Sequence, residues 1–326
     1  MQLIVRRSRH EHVSQDTVDE LEAAILRDMR VAPASAGSLV AEATTIATRL
    51  MGRAGLDAGR ALRASGRHAA TIDPARDYFA VMMSLDAPRV APWFIRDARK
   101  SVYLFDAWPS RHPEILRFTD SWGVQFAFVS SSQAAERLAR LSERCTFIWV
   151  PEGVDPSRYR HRSPIERDID VLQLGRKYDA HHRVIAQPLA DAGLTYLYEK
   201  QKGQIVFPTR DGFVEGLSRS KISICVPSSL THADRAGDIE TMTVRYLQSM
   251  VSKCLVLGHA PAEMIELFGY NPVVEIDMVS PVEQIMEVLA DYASWQPLIE
   301  KNFETVRTLH TWDQRWRRMA EVLFKS

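Results

Sequence analysis

Short apolar runs and amphipathic stretches alternate along the first half of the chain. Apolar positions recur at helical spacing from Asp16 to Met29 and, among many small residues, from Ser35 to Ala64. Helical patterns also cover 113–118 and 132–141. Four runs rich in apolar and β-branched residues end at polar or turn residues, and these runs predict strands over 78–83, 101–105, 124–129 and 145–150. Strands that alternate with helices predict a parallel sheet with both faces covered.

A polar stretch separates this half from a second half of the same kind. Periodicity stops over 151–168, where Pro, Arg and Ser accumulate, so this stretch is the predicted linker. Strands are then predicted over 169–174, 195–198, 222–226, 254–257 and 273–276, and helices over 182–192, 212–220 and 243–251. The tail from Pro281 to Phe324 is predicted to be helical, with an apolar stripe of Trp312, Trp316, Met319, Val322 and Leu323. The pattern predicts two doubly wound α/β domains.

Composition narrows the class of protein. The 326 residues are enough for two domains, and 41 basic residues balance 41 acidic ones, so no net charge points to nucleic acid or an anionic membrane as the main partner. Cys145, Cys225 and Cys254 lie far apart, in or beside apolar runs, which favours reduced core residues over a disulfide framework or a metal cluster. The apolar N-terminal stretch is too short for a signal peptide or a membrane span, so we expect a cytoplasmic protein.

Three stretches of the second half carry a family resemblance. Residues 150–159 read VPEGVDPSRY, similar to P-N-G-V-D-x-x-x-F, with Glu152 in place of the asparagine. Residues 172–176 read LQLGR, similar to a strand followed by G-R. Residues 240–258 read ETMTVRYLQSMVSKCLVLG, similar to E-x7-E-A-M-A-x-G-x-P-V-V, with glutamine in place of the second acid. These stretches resemble the GT-B glycosyltransferases, in particular the mostly retaining group-1 family.

The resemblance implies two Rossmann-like domains that face a central cleft. Residues 1–155 would form the acceptor side and residues 160–310 the donor side, with a C-terminal helix at about 311–326 packed back on the first domain. The implied reaction moves a hexose-type residue from a nucleoside-diphosphate sugar to a hydroxyl of a glycan or lipid-linked acceptor, as in polysaccharide biosynthesis, with retention at the anomeric carbon. The sugar nucleotide is then a co-substrate and no separate cofactor is expected. A lipid-linked acceptor would bring the protein to the inner face of a membrane.

A diphosphate leaving group requires positive charge, and this requirement selects candidate donor-binding residues. Gly175 and Arg176 follow a predicted strand, and Arg245 lies in the first turn of a predicted helix. Arg183 can reach the place of the family's lysine, which is not matched at its usual spacing. Guanidinium groups stabilise a diphosphate without a cation. Each arginine has the alternative of a surface ion pair.

The third stretch supplies further candidates for the nucleotide and the sugar. Thr241 and Thr243 are residue types that cap helices and direct backbone N–H groups toward an anion. Gln248 can accept a hydrogen bond from a ribose hydroxyl through its carbonyl oxygen. The resemblance places Glu240 within reach of the sugar hydroxyls, as a candidate catalytic residue.

The first half offers Asp106, which follows the predicted strand 101–105. A carboxylate there faces the cleft, where related enzymes place an acceptor-contacting His or Asp, so Asp106 is the second candidate catalytic residue. Its alternative is to cap the loop before Pro109. Trp108 is either a sugar platform or a packing residue.

Several other chemistries are disfavoured. Asp168-Ile-Asp170 matches the metal-binding D-x-D, but it begins a predicted strand instead of ending one. The adjacent His181 and His182 would point about 100° apart on a helix, so a metal site is not expected there. The sequence lacks G-x-G-x-x-G after a strand, a P-loop and G-x-S-x-G. The alternative function is a GT-B-fold sugar or nucleotide sensor, or a partner subunit, without catalysis.

Overall fold

The computed structural model describes residues 1–6, 15–34, 39–66, 77–175, 177–201 and 203–325. These residues divide into two units. The described residues of Met1–Arg9, Val18–Pro151 and Trp316–Ser326 form unit 1, and those of His10–Thr17 and Glu152–Arg315 form unit 2. No helix in this described part of the chain is both long enough and apolar enough to cross a membrane.

The described strands of unit 1 form one parallel sheet in the order β2-β1-β3-β4-β5-β6. Their bounds are β1 (Gln2–Leu3), β2 (Ala32–Pro33), β3 (Tyr78–Met82), β4 (Lys100–Leu104), β5 (Phe126–Val129) and β6 (Thr146–Trp149). Every residue of β3 and β4 is buried, as expected for central strands that helices cover on both faces. The sequence pattern did not predict β1 and β2, because a strand of two residues has no periodicity to detect.

Six described helices lie between these strands along the chain: α1 (Asp16–Leu26), α2 (Leu39–Leu50), α3 (Gly59–Gly66), α4 (Ala87–Phe94), α5 (His112–Trp122) and α6 (Ser132–Leu141). Side chains define several of their ends. Asp86 and Ser131 accept hydrogen bonds from the backbone N–H groups of Arg89 and Ala134, which caps α4 and α6. Helix α4 was not predicted from the sequence; it contains Pro88 in its first turn and Pro92 in its interior, and an interior proline is unfavourable in a helix.

Unit 2 contains a second parallel sheet, with the order β11-β10-β9-β7-β8 in its described part. The strands are β7 (Ile169–Gln173), β8 (Tyr196–Tyr198), β9 (Ser220–Cys225), β10 (Leu255–Gly258) and β11 (Val274–Glu275). The helices after β7 along the chain are α7 (Asp179–Asp191), α8 (Arg210–Ser218), α9 (Ser228–Thr231), α10 (Ala233–Ala236), α11 (Val244–Val251), α12 (Ala262–Phe268), α13 (Pro281–Ala290), α14 (Gln296–Leu309) and α15 (Trp312–Lys325), of which α15 belongs to unit 1 from Trp316 onward.

The core of unit 2 lies on both faces of this sheet. Val171 and Leu255 point into a cluster with Ile185 of α7 and Ile285 of α13. Their chain neighbours, including Leu172, point into the opposite cluster, which contains Leu217, Tyr246, Leu247, Val256 and Val306. Adjacent strand residues serve opposite faces, so helices cover both sides. This arrangement confirms the predicted fold class of two doubly wound α/β sheets.

The strand order identifies a switch point in unit 2. The chain passes from β7 to β8 on one side and then returns to β9 on the other side of β7. In open parallel sheets, ligands bind outside the carboxyl ends of the strands at such a point. The carboxyl ends of β7 and β9 are therefore the region of unit 2 to search for a site.

The stretch predicted as a linker, 151–168, is packed. The buried guanidinium of Arg167 donates hydrogen bonds to the backbone carbonyl oxygens of Arg162, Ser220 and Ser252. The stretch 151–168 shows no helical or strand periodicity because it consists of loops and two 3-10 turns, Pro156–Arg158 and Pro164–Glu166.

The C-terminal tail is helical, as predicted, and it is divided into the three helices α13, α14 and α15. In α15, the stripe residues Trp312, Trp316, Met319 and Leu323 are buried. Residues from Trp316 onward belong to unit 1, where the Trp316 indole N–H donates to Asp28 across 2.9 Å. The three cysteines are free and buried, as expected for core residues.

Unit 1 buries an acid–base pair near the carboxyl ends of β1 and β3. The Arg89 guanidinium donates to the carbonyl oxygens of Ile4 and Val81, and its Nη1 lies 3.8 Å from the Glu22 carboxylate. Burial raises the pKa of Glu22 from 4.5 to about 7, and the nearby Arg89 opposes this rise. The folded protein therefore holds the Glu22 proton more tightly than the unfolded chain does.

We expect Glu22→Gln to flatten the pH dependence of stability. Because the folded-state pKa is raised, the stabilisation from the Glu22 proton is complete below about pH 4.5 and is lost as the pH rises through 7. The loss is at most about 3 kcal/mol. Urea unfolding of both proteins at pH 5 and pH 8 measures it. If the free energy of unfolding falls as much between pH 5 and pH 8 in the variant as in the wild type, Glu22 is not the source of the fall.

Candidate active site

A cavity of about 310 Å³ lies in unit 2, at the carboxyl end of β7. This volume is near the lower end of the range for small-molecule sites, about 300–1,000 Å³. Apolar side chains form much of the wall: Leu174, Ile205, Val206, Phe207, Phe213 and Val244. The remaining lining residues are Thr17, Gly175, Glu199, Gly203, Arg245 and Gln248. Among the described lining residues, the cavity therefore combines an apolar surface with one guanidinium, one carboxylate, one amide and one hydroxyl.

Two of the predicted donor-binding residues contact each other in this cavity. Gly175 follows β7 with a φ of +71°, a left-handed conformation that favours glycine. A Cβ atom built on Gly175 would lie 2.7 Å from Nη2 and 3.0 Å from Cζ of Arg245. Because residue 175 has no side chain, the Arg245 guanidinium can lie against the backbone at the end of β7.

We expect Gly175→Ala to destabilise the protein and to weaken nucleotide binding. The positive φ should cost about 1–2 kcal/mol in unfolding free energy, and the new methyl group should displace the Arg245 guanidinium. Gly193→Ala is the matched control, because Gly193 has a φ of +72° and a Cβ atom at that position would have no described atom within 4 Å. Urea unfolding and calorimetric titration with nucleoside diphosphates test both variants. Equal losses of nucleotide affinity in both would contradict the specific role of Gly175.

Protein carboxylates occupy the N-terminal end of α11. Thr243 is the N-cap residue, but within the described residues its side chain makes no capping hydrogen bond. The Val244 N–H instead donates to Glu152 across 2.6 Å, and the Met242 N–H donates to Glu263 across 2.8 Å. The Thr241 hydroxyl also donates to Glu263, across 2.7 Å. Thr243 therefore occupies the N-cap position that its residue type predicts, but carboxylates of the protein, and not a threonine side chain, accept from these two N–H groups. A role of either threonine in donor binding stays a prediction.

Gln248 is buried on α11 and lines the cavity. Its Nε2 donates to the Tyr159 hydroxyl across 2.9 Å, and Arg210 donates to the same hydroxyl across 3.2 Å. The bond fixes the amide NH₂ group on Tyr159. A ligand hydroxyl would need the carbonyl end of this amide as its acceptor, and the contact of Gln248 with a ribose stays a prediction.

Glu240 lies just before α11 and is half-buried. Its Oε2 is 3.3 Å from Nε2 of His259, the residue that follows β10. It is not among the described residues that line the cavity, but it lies in the same connection between β9 and α11. Its contact with a sugar stays a prediction.

The other predicted residues that the structure describes do not line this cavity. Arg183 is exposed on α7 and is absent from the described lining. Arg176 lies outside the described residues. Asp106 is half-buried two residues beyond β4 of unit 1, and Trp108 beside it is buried, which fits packing better than an exposed sugar platform.

The two motifs set aside as metal sites have other contacts. Asp168 and Asp170 lie at the amino end of β7 and pair with Arg219 and Lys221 across 2.5 and 2.7 Å. His181 is fully buried, and burial lowers its pKa to about 4. No group of three or more metal-ligating side chains occurs among the described residues.

Several lining residues were not predicted from the sequence. Glu199 directly follows β8, so the rule that ligands bind at strand ends could have identified it. Gly203, Ile205, Val206 and Phe207 lie in an irregular segment, and no periodicity or motif marks them. Their place at the cavity follows from the path of the chain after β8.

No protein-family profile matches the sequence, and no curated protein sequence matches it. Solved structures do match. HepE from Anabaena, in complex with UDP, is 10% identical with a TM-score of 0.59, and the match covers 100% of both chains. Sucrose-phosphate synthase from Thermosynechococcus elongatus is 12% identical with a TM-score of 0.53, over 90% of this chain and 82% of that one.

A third structure is an α,α-trehalose-phosphate synthase (UDP-forming) from Burkholderia vietnamiensis. It is 12% identical with a TM-score of 0.52, and the match covers 94% of this chain and 85% of that one. At such low identity the likeness establishes the fold alone. The chain has the GT-B fold, as the motif resemblance implied.

Proposed function

We propose that this protein is a glycosyltransferase that uses a nucleoside-diphosphate sugar as donor. The sugar is a hexose-type residue, and the acceptor is a hydroxyl group of a glycan or a lipid-linked glycan. The anomeric configuration is retained, and the departing diphosphate takes the acceptor proton. Asp106 in unit 1 contacts the acceptor.

The observation that carries this proposal is the cavity at the carboxyl end of β7. It brings together Gly175, Arg245 and Gln248, which come from two separate motif stretches. Arg245 supplies positive charge for a diphosphate, Gln248 supplies an oxygen for a ribose hydroxyl, and the apolar wall suits a nucleobase. HepE binds UDP and the trehalose-phosphate synthase forms UDP, which supports UDP as the first nucleotide to test.

A thermal-shift screen with UDP, GDP, CMP and dTDP tests the donor site. A nucleotide at 100 times its dissociation constant stabilises the folded state by about 2.7 kcal/mol, which raises the unfolding temperature measurably. We expect one of the diphosphates to give the largest shift and CMP, with a single phosphate, to give less. A flat response to all four would contradict the proposal.

We expect turnover to persist in excess EDTA. The D-x-D motif lies at the amino end of β7, with both carboxylates held in ion pairs, while the cavity lies at the carboxyl end and presents a guanidinium. Arginine can stabilise the leaving diphosphate in place of a cation. The measurement is the release of nucleoside diphosphate with and without chelator. Loss of turnover that Mn²⁺ or Mg²⁺ restores would contradict it.

A second candidate function is a GT-B-fold protein that binds a sugar or nucleotide without transferring it, or that serves a partner enzyme. Glu152 favours it, because a buried carboxylate holds the Val244 N–H at the edge of the cavity where the family has asparagine. An acidic side chain there, in place of a neutral one, opposes a diphosphate. Glutamine at 248 in place of the family's acid points the same way.

A further inference from the structure

A chain of three polar side chains crosses the carboxyl ends of β10 and β11 in unit 2. His259 follows β10, and its two ring nitrogens each approach one carboxylate. Nε2 lies 3.3 Å from Oε2 of Glu240, and Nδ1 lies 3.1 Å from Oε2 of Glu275. The imidazole ring therefore links the carboxylate that the motif assigns to the sugar with one on the edge strand.

Hydrogen bonds to neighbouring residues anchor His259 and Glu275. The His259 N–H donates to the Cys225 carbonyl oxygen across 3.1 Å, and the Tyr246 hydroxyl donates to the His259 carbonyl oxygen across 2.7 Å. Glu275 accepts from the Ala260 N–H and from the Asn271 side-chain amide, across 3.1 and 3.2 Å. His259 and Glu275 are thus anchored to the sheet, and Glu240 lies in the connection between β9 and α11. Through its Nε2 atom, the anchored His259 ring holds the Glu240 carboxylate.

The number of protons on the imidazole ring sets how many carboxylates it can donate to. A doubly protonated imidazole donates to both carboxylates, while a neutral ring can donate to only one. A carboxylate fixed in this way accepts hydrogen bonds from sugar hydroxyls without first losing side-chain freedom. The ring is about 40% exposed, so its effect should be moderate.

We propose that His259 is a positioning residue that fixes the Glu240 carboxylate for a hydroxyl-bearing donor sugar. The inference rests on the proposed function, because it requires Glu240 to face the sugar. Its signature is confined to the sugar half of the donor: affinity for a sugar nucleotide depends on His259, and affinity for the bare nucleotide does not.

The test compares calorimetric affinities for UDP-glucose and UDP in a set of variants, or for the pair that the thermal-shift screen selects. His259→Ala should weaken binding of the sugar nucleotide about fivefold and change that of the bare nucleotide by less than about twofold. His259→Gln retains an N–H donor and should restore part of the loss. Glu275→Gln should weaken sugar-nucleotide binding less than His259→Ala does. Glu283→Gln changes an exposed carboxylate on α13 and serves as the control.

A double-mutant cycle separates positioning from a general structural role. If His259 acts through Glu240, then His259→Ala should have little further effect in the Glu240→Gln background. Equal losses for sugar nucleotide and bare nucleotide, or a full further loss in that background, would overturn the inference and leave the proposed function standing. A wild-type protein that binds neither ligand would overturn both.

Discussion

Arg245→Ala is expected to weaken binding of the bare nucleoside diphosphate by about 10- to 150-fold while the protein remains folded. This range corresponds to about 1.5–3 kcal/mol, the contribution of hydrogen bonds to a charged group. Arg245 lines the cavity, and its guanidinium lies against Gly175 at the end of β7. Calorimetric titration with UDP is the measurement, and Arg245→Lys tests whether charge without the planar fork is sufficient.

Two further arginine variants make this result specific. Arg307→Ala removes an exposed guanidinium on α14 that pairs with Glu304, and it should leave nucleotide affinity unchanged. Arg183→Ala tests a residue that the sequence predicted to contact the donor. The structure places Arg183 exposed on α7, so this variant should also leave nucleotide affinity unchanged. Unchanged affinity in folded Arg245→Ala, or an equal loss in Arg183→Ala, would move the diphosphate away from Arg245.

Glu240→Gln is expected to lower sugar transfer much more than it lowers affinity for the bare nucleotide. The variant keeps the shape of the side chain but replaces a charged acceptor with a neutral one, and the bare nucleotide lacks the sugar that Glu240 would hold. The loss of kcat/KM should be about tenfold or more. Gln248→Ala should instead weaken donor and bare nucleotide alike, by about fivefold to tenfold.

Tyr159→Phe is the control for Gln248. It removes the hydroxyl that holds the Gln248 amide and leaves the glutamine carbonyl oxygen in place. A small effect of Tyr159→Phe beside a larger effect of Gln248→Ala assigns the loss to the glutamine. If Glu240→Gln leaves transfer untouched, the match to the family motif is a coincidence of helix composition.

Periodicity was sufficient to predict the fold where elements are long and buried. The strands near 169–173 and 220–225 were predicted because runs of branched residues mark buried parallel strands. The elements it missed had no such mark: β1 and β2 have two residues each, and α4 contains Pro92. The start of α7 was predicted at His182 instead of Asp179, because its first residues, Asp179, Ala180 and His181, include no large apolar side chain.

The site could be predicted only where the motifs are contiguous. Gly175, Arg245 and Gln248 lie in motif stretches and do meet in one cavity, although binding of the donor by them stays a prediction. The capping of α11 could not be predicted, because Glu152 and Glu263 reach Val244 and Met242 across long sequence separations. Such contacts depend on the path of the chain, which local patterns do not contain.

Donor turnover decides between a transferase and a binding protein of the same fold. The wild-type protein is incubated with UDP-, GDP- and dTDP-sugars, and ³¹P NMR follows the release of nucleoside diphosphate, since glycosyltransferases often transfer donor slowly to water. We expect release from at least one sugar nucleotide, lowered in both Arg245→Ala and Glu240→Gln. A protein that binds a nucleotide with the expected dependence on Arg245, yet releases diphosphate from none of these donors, would contradict the proposed transferase and favour the non-catalytic function.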